Sequence, residues 1–453
     1  EGDPSFVFYE GPPSANGMPG IHHVMGRAIK DIFCRYKTLK GFQVQRKAGW
    51  DTHGLPVELS VEKALGITKE DIGIKISVEE YNKACRKTVM QYTDVWNNLT
   101  EKMGYWVDMS HPYITYEPKY MESVWWLLGQ LYKKNLIYKG YTIQPYSPKA
   151  GTGLSSHEIN QPGAYRDVTD TSCVAQFKLI DGTTSPFEGR LPGKTDSNDD
   201  TFLLAWTTTP WTLPSNTALT VGPKIEYVLV KTFNPYTFQK QNVILAKNLV
   251  GYQFGKGFQS LENEDELSNY TEGDKQIPFF IADECLGKDL IGVRYEQLLP
   301  YAQPAENPEK AFVVIGGDFV TIDDGTGIVH TAPTFGADDA KVAADAGVPG
   351  MLVDDGNGNL VPLVDLQGKF RPEMGELAGL YVKNEYYDDG QAPDKSVDVL
   401  ISIDLKTRNR AFKVEKYVHS YPHCWRTDKP ILYYPLDSWF VKATEAKGRM
   451  MEL

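Results

Sequence analysis

The sequence predicts an α/β protein: an α/β domain that opens the chain, a long β-rich insertion, and a short return segment. Three observations carry this. Residues 6–44 read as strand, helix, strand. The stretch 59–137 is helical in texture. From about residue 167 short apolar runs alternate with turns, until a helical pattern returns near residue 395.

The opening segment has a short apolar run, FVFY at 6–9, that reads as a buried strand, followed by a Gly/Pro/Asn-rich turn at 11–20. Residues 21–39 place Ile21, Val24, Met25, Ala28, Ile29, Ile32, Phe33 and Tyr36 at helical spacing, with one face predicted to point inward. Gly41 is a stop signal, and residues 42–44 read as a second strand, giving a β-α-β start. In the helical stretch, Ser77 three residues before Glu80 forms a capping-box signature. The aromatics Trp96, Tyr105, Trp106, Tyr120, Trp125 and Trp126 are expected to pack a core, with no chemical role. Residues 141–158 read as a turn-rich connector. β-type runs then fall at 173–180, 202–206, 218–221, 227–232, 243–245, 279–281, 311–314 and 327–329, a spacing that suits a barrel-like or sandwich domain. Polar stretches at 181–201 and 256–276 are expected on the surface. A helix is expected over 395–408 and a strand over 412–418.

Composition narrows the function. The 453 residues carry a formal net charge of −12, which argues against a protein built mainly to clamp nucleic acid. A local basic patch at Lys37, Lys40, Arg46 and Lys47 is compatible with that balance, as is an ordinary solvated face. No apolar run approaches the ~20 residues of a membrane span, and residues 1–4 lack the basic start and apolar core of a signal peptide. A cytoplasmic location without membrane contact is expected. The five cysteines, Cys34, Cys85, Cys173, Cys285 and Cys424, include no CxxC pair, so neither a disulfide framework nor a zinc site of that type is expected.

Three stretches bear chemistry. The first joins the glycine turn to a helix that starts with His22 and His23 and ends at the loop GWDTHG, residues 49–54. Backbone N–H groups at a helix start attract anions, and imidazoles there can donate to phosphoryl oxygens. Neither GxGxxG nor GxxxxGK[ST] is present. The second stretch, LLAWTTTPWTLPSN at 203–216, runs a strand into Thr207, Thr208 and Thr209 and a proline-stiffened loop ending at Asn216. Such hydroxyls could face a sugar or a water, although threonines in a strand are unremarkable alone. The third, GTGIVHTAPTFGADD at 325–339, delivers His330 into a loop ending in Asp338 and Asp339. One carboxylate could pair with an amine and the imidazole could shape a pocket. The bland alternative is a loop capped by Asp338 at a helix start.

These stretches, FYEGPPSANGMPGIHHVMGR and GWDTHGLPVE, then WTTTPWTLPSN, GTGIVHTAPTFGADD and HSYPHCWR at 419–426, resemble class I aminoacyl-tRNA synthetases of the isoleucine branch, in order and over essentially the whole chain. The resemblance implies a Rossmann-type nucleotide-binding domain, partial here, interrupted by a large editing insertion. It divides the chain into residues 1–166 (first half of the catalytic domain plus connector), 167–411 (editing domain) and 412–453 (return segment). It implies isoleucine activation with ATP and Mg2+, charging of tRNA-Ile, and hydrolysis of mischarged valyl-tRNA-Ile, by a monomer. Pro12 and Asp51 match isoleucine-binding positions and His23 the second histidine of the His-x-Gly-His signature. Thr207, Thr208, Thr209 and Asn216 match residues around the terminal ribose and hydrolytic water, His330 a residue shaping the editing pocket, and Asp339 the acid gripping the wrong amino acid's amino group.

The chain departs from the family pattern in three places. The signature reads Gly20-Ile21-His22-His23, with glycine and histidine exchanged, so His22 is expected to supply the missing imidazole. At the positions where some members carry two CxxC pairs for zinc stand Ser147, Ala150, Cys424 and Thr427, so no zinc is expected there. No Lys-Met-Ser-Lys-Ser stretch occurs, so these residues are expected to be a fragment lacking synthetic activity. A free-standing hydrolase acting on mischarged tRNA and a non-catalytic tRNA-binding module are the competing readings.

Overall fold

The computed structural model describes residues 4–180 and 199–452. The polar stretch at 181–198 and the N-terminal residues 1–3 lie outside the described residues. The protein is mixed α/β and divides into two compact units, one of residues 1–140 with 439–453, the other of residues 141–438.

The first unit is helical around a thin parallel pairing. Helix Ile21–Leu39 ends where Gly41 takes a φ of +86°, as the sequence predicts. The capping box forms: Glu80 N–H donates to Ser77 Oγ and the Glu80 carboxylate accepts from Ser77 N–H, opening helix Val78–Val89. The predicted strand at 6–9 does not form. Ser5 makes a single parallel bridge to Gln43, while Val7 and Tyr9 are exposed. The regular pairing falls later, between Lys47–Trp50 and Asp108–Ile114, in parallel.

Two packing expectations are also corrected. Helix Ile21–Leu39 buries only Cys34 among the described residues, and Ile21, Met25, Ile29 and Phe33 are exposed. Of the aromatics, Trp96 and Tyr105 are buried, whereas Trp106, Tyr120, Trp125 and Trp126 are exposed. Helical spacing reports which face is apolar; it does not report what covers that face. Arg46 is no part of a solvated patch. Its guanidinium is buried against Asp31 at 2.5 Å and lies over the Tyr105 ring.

The second unit is built on a ten-stranded mixed sheet. Its path runs Phe258–Ser260, Ile277–Leu286, Glu226–Phe233, Lys240–Ala246, Thr201–Thr207, Ile328–Thr331, Ala218–Val221, Val313–Gly316. Thr201–Thr207 also pairs with the long strand Tyr165–Lys178, which pairs in turn with Ala411–Pro422. The order is a branched path, with no closed barrel among the described residues. The predicted β runs fall on or beside these strands, and helix Val397–Thr407 falls inside the predicted 395–408. The expected connector at 141–158 instead carries most of a strand, Ile137–Ser147. The stretch 256–276 is mostly exposed, as expected, with Leu267 as its buried anchor.

The core of this unit is conventional. Leu203, Ala205, Leu219, Leu229 and Ile244 alternate inward from neighbouring strands, beneath Trp211, Tyr295 and Phe335. Two of the strands in this sheet present the chemical residues at their ends.

Candidate functional site

Strand Ile328–Thr331 lies between Thr201–Thr207 and Ala218–Val221, with Val329 opposite both Trp206 and Thr220. That register brings the threonine run, at the end of one strand, beside His330 on the next. Between them opens a cleft of about 340 Å³. Thr207, Thr208, Thr209, His330 and Asp339 all line it. Asn216 stands one layer behind, against His330.

His330 is buried and held at both ring nitrogens. The Asn216 amide nitrogen donates to the carbonyl of Ala218 at 2.8 Å, which fixes its orientation, and it lies 2.9 Å from His330 Nδ1. Nδ1 therefore accepts, and the ring proton sits on Nε2, 3.0 Å from Thr212 Oγ1. Thr212 Oγ1 in turn donates to the carbonyl of Thr209 at 2.8 Å, and Tyr295 donates to Asn216 Oδ1 at 2.7 Å. Burial pushes the imidazole pKa down to about 3, against the opposing hydrogen bond at Thr212. A neutral ring with no free lone pair shapes a wall; it is not a proton acceptor for substrate.

Asp339 is in the first turn of helix Ala337–Asp345 and accepts from the backbone N–H of Ala332 at 2.8 Å. Burial, partly offset by that hydrogen bond, raises its pKa to about 6, and Asp338 adds repulsion. Asp338 does not cap the helix: the N-cap residue is Gly336, with no side-chain cap. Gly336 is needed for another reason, because a Cβ there would sit 2.8 Å from Asp339 Cγ. Thr207 Oγ1 accepts from the N–H of Thr209 at 3.1 Å, whereas the Thr208 hydroxyl has no partner among the described residues. The cleft thus offers an unengaged hydroxyl, a carboxylate and a fixed neutral imidazole.

Residue-by-residue reading missed part of the lining. Trp206, Phe319, Thr321, Asp324 and Phe335 also face the cleft. The glycines of GTG were a usable signal. Gly325 and Gly327 both take a φ of +72°, and added Cβ atoms would meet Trp206 Cε3 at 2.9 Å and Ala246 Cβ at 2.4 Å. Backbone that close to a neighbouring strand and at positive φ admits only glycine.

In the first unit the predicted residues are less gathered. Pro12 lines a small cavity with Glu10, Arg27, Trp50 and Tyr113. Asp51 is exposed, its N–H donating to the carbonyl of Pro13 at 2.9 Å. His23 Nδ1 accepts from Gly20 N–H at 2.9 Å, and its ring meets Trp96 edge-on at 4.8 Å. Trp96 also ties the glycine turn, donating to the carbonyl of Gly17 at 2.9 Å. The His22 ring lies beside that of His23, 3.8 Å between centroids and tilted by 42°, and occupies the space over Gly20: a Cβ on Gly20 would lie 2.8 Å from its Cε1. Burial and the adjacent His22 lower the pKa of His23.

The four positions compared with zinc ligands do not fit a zinc ion. Serine, alanine and threonine are not zinc donors, and Cys424 packs into an apolar cluster with Leu154, Ile159 and Ile431.

The protein is 62% identical over the whole chain to an isoleucine–tRNA ligase of Cytophaga hutchinsonii, of which it covers 40%. It is 58% identical to one of Bacteroides thetaiotaomicron, again over the whole chain and 41% of that protein. It is 42% identical to one of Clostridium tetani over 99% of the chain and 36% of the relative. The chain therefore spans about two fifths of the length of these relatives. The sequence profile of the tRNA synthetases class I (I, L, M and V) matches residues 1–453 without a break, and the chain belongs to that family.

Proposed function

We propose that this chain is the editing insertion and part of the synthetic site of an isoleucine–tRNA ligase, with residues 1–166 and 412–453 forming part of a Rossmann-type catalytic domain around a barrel-like insertion at 167–411. The observation that carries the reading is the convergence of the threonine run, His330 and Asp339 on one cleft. The isoleucine–tRNA ligases to which the chain is similar supply the amino acid.

An activating site built on shape cannot reject valine strongly, because one missing methylene is worth only about 1–3 kcal/mol. The isoleucine–valine pair is the very case from which that limit is known. A second site too small for isoleucine corrects the error by hydrolysing valyl-tRNA-Ile. In the cleft, Asp339 receives the substrate ammonium, which holds the carboxyl ionised. Thr207, Thr208 and Thr209 face the terminal ribose, and the Thr208 hydroxyl positions the attacking water. His330, kept in place by Asn216 and Thr212, limits the side-chain pocket. No titratable group in this set is free to act as a strong base, so rate enhancement comes from positioning and exclusion.

In the synthetic half, Pro12 and Asp51 hold isoleucine, and His23 with His22 faces the ATP phosphates, ATP entering with Mg2+ as substrate. His22 takes the space that a side chain at position 20 would use. That supports reading the exchange of glycine and histidine as compensated. tRNA-Ile is the macromolecular partner, and the protein acts as a cytoplasmic monomer.

The test is hydrolysis of valyl-tRNA-Ile and isoleucyl-tRNA-Ile by residues 1–453. Release of valine at least tenfold faster than isoleucine, abolished by Asp339→Ala, is the expected result. Equal rates for the two esters, or none above the uncatalysed background, would overturn the reading.

A further inference from the structure

Behind the cleft lies a buried carboxyl group that the reading above does not use. The turn Pro210–Ser215 follows the threonine run and carries Thr212, the partner of His330. Amides in the first turn of any helix lack an acceptor from within it. The Trp211 N–H is such an amide, inside the core, and it donates to Asp398 Oδ1 at 2.8 Å. Asp398 comes from a distant part of the chain, in the first turn of helix Val397–Thr407. It is itself buried.

A buried carboxylate needs compensation. Here Lys383, also buried, attracts Asp398 and pairs with Asp170 at 2.7 Å. Asp170 lies 3.1 Å from His419 Nε2. Asp170 and His419 stand on the paired strands Tyr165–Lys178 and Ala411–Pro422. The Lys383 ammonium also sits 4.6 Å over the Tyr421 ring. One network therefore ties the turn that forms the cleft wall to the strand pair beneath it.

We propose that Asp398 is a positioning residue for the hydrolytic cleft. By holding the Trp211 amide it sets the turn, and through Thr212 it sets His330 and the carbonyl of Thr209. Asp398 does not line the cleft. The proposal rests on the editing reading for its activity readout, but the tethering itself is measurable without any substrate.

The experiment compares wild type, Asp398→Leu and Asp398→Asn in the full chain by two measurements. Amide hydrogen exchange over residues 207–216 reads the tether, and single-turnover hydrolysis of valyl-tRNA-Ile reads the cleft. Leucine keeps the bulk and removes the acceptor; asparagine keeps an acceptor oxygen within reach of the amide. Asp398→Leu should exchange at least tenfold faster over 207–216 while distant strands stay protected. Its hydrolysis rate constant should fall at least tenfold with little change in KM. Asp398→Asn should restore both to within threefold of wild type. If Asp398→Leu does not fold, Asp398→Ser, whose hydroxyl is too short to reach the amide, is read in its place with the same expectations. Unchanged exchange over 207–216, or faster exchange with full activity, overturns the proposal. If the wild-type chain hydrolyses no ester, the editing reading fails, and faster exchange confined to 207–216 still supports the tether.

Discussion

The most discriminating perturbation is Gly336→Ala, because it should separate function from stability. Gly336 has a φ of −138° and a ψ of 130°, so alanine meets no backbone penalty. The new Cβ would lie 2.8 Å from Asp339 Cγ and 2.9 Å from its Oδ2, where ordinary contact begins near 3.4 Å. The carboxyl group must therefore shift by about 0.6 Å or more, and a shift along the 2.8 Å bond from Ala332 N–H stretches it to about 3.4 Å, past the usual N–H···O distance. Asp339 is half-buried and can turn toward solvent, so the shift costs little folding free energy. The entropy alanine removes from the unfolded chain offsets about 0.4–1 kcal/mol of that cost.

Catalysis is less forgiving: a misplacement near 1 Å is worth about 10²-fold in rate. The expected result is a 10- to 100-fold fall in kcat/KM for valyl-tRNA-Ile hydrolysis, with a urea-unfolding free energy within about 1 kcal/mol of wild type. Undiminished hydrolysis would refute the role given to Asp339. A loss of several kcal/mol in stability would refute the claim that only a movable side chain obstructs the new methyl group.

Gly327→Ala is the contrasting case: its Cβ would strike Ala246 Cβ at 2.4 Å, from a φ of +72°, so neither neighbour can turn away. Strain and overpacking together should cost about 2–4 kcal/mol in urea denaturation, and a near-neutral result would contradict the close approach of the strands. His330 titrates near 3 when folded and near its ordinary 6.5 when unfolded. Between those values the unfolded chain binds the extra proton, so stability falls on acidification by about 1.4 kcal/mol per pH unit. Asp339, raised to about 6, and Asp398, raised to about 7, act in the opposite sense below their own values. Hence, going from pH 6 to pH 5, the stability of His330→Gln should change more favourably than that of wild type by about 1 kcal/mol, and an identical change in the two would count against a buried neutral ring. In the complete enzyme, His22→Ala should slow isoleucyl-adenylate formation at least tenfold in ATP–pyrophosphate exchange; an unchanged rate would remove His22 from the site. Metal analysis of the purified protein should find no stoichiometric zinc, and one tightly held ion per chain would show that another donor set exists.

The second unit was more legible in the sequence than the first. Strands such as Ala218–Val221 and Glu226–Phe233 are buried on both faces, so they read as continuous apolar runs between turns. The cleft was legible because its residues cluster in two short motifs, and pairing of the motif strands then brings them together. Asp398 was not legible. It sits 187 residues from the amide it holds, in an ordinary helix start, and nothing local marks a tertiary acceptor. The first unit failed for a different reason. Residues 6–9 are apolar enough for a strand, but pairing stops at the one bridge around Ser5, where Phe6 N–H donates to the carbonyl of Gln43 at 3.0 Å, and pairing is a property of two segments. Likewise Trp125 and Trp126 look like core residues by type, yet helix Pro118–Lys133 has no buried residue.

The polar groups at the cleft follow one logic. His330 loses its charge to burial, Thr212 and Asn216 spend their hydrogen bonds on the His330 ring and on the carbonyls of Thr209 and Ala218, and Asp398 is committed to a backbone amide. Each is unavailable to a substrate, and each fixes the next. Of the residues named in the two motifs, the Asp339 carboxyl group, at the rim of a helix start, and the Thr208 hydroxyl face the cleft for a substrate to use. A site that must distinguish two aliphatic amino acids by size gains from this arrangement, because a rigid wall discriminates and a mobile one adapts. The same rigidity predicts where selectivity will break. Loosening the wall from behind, at Asp398 or Asn216, should admit isoleucyl esters, whereas removing Asp339 should slow both esters alike. A variant at Asp398 that lost rate on valyl-tRNA-Ile and gained none on isoleucyl-tRNA-Ile would place size selection elsewhere, in the aromatic lining formed by Trp206, Phe319 and Phe335.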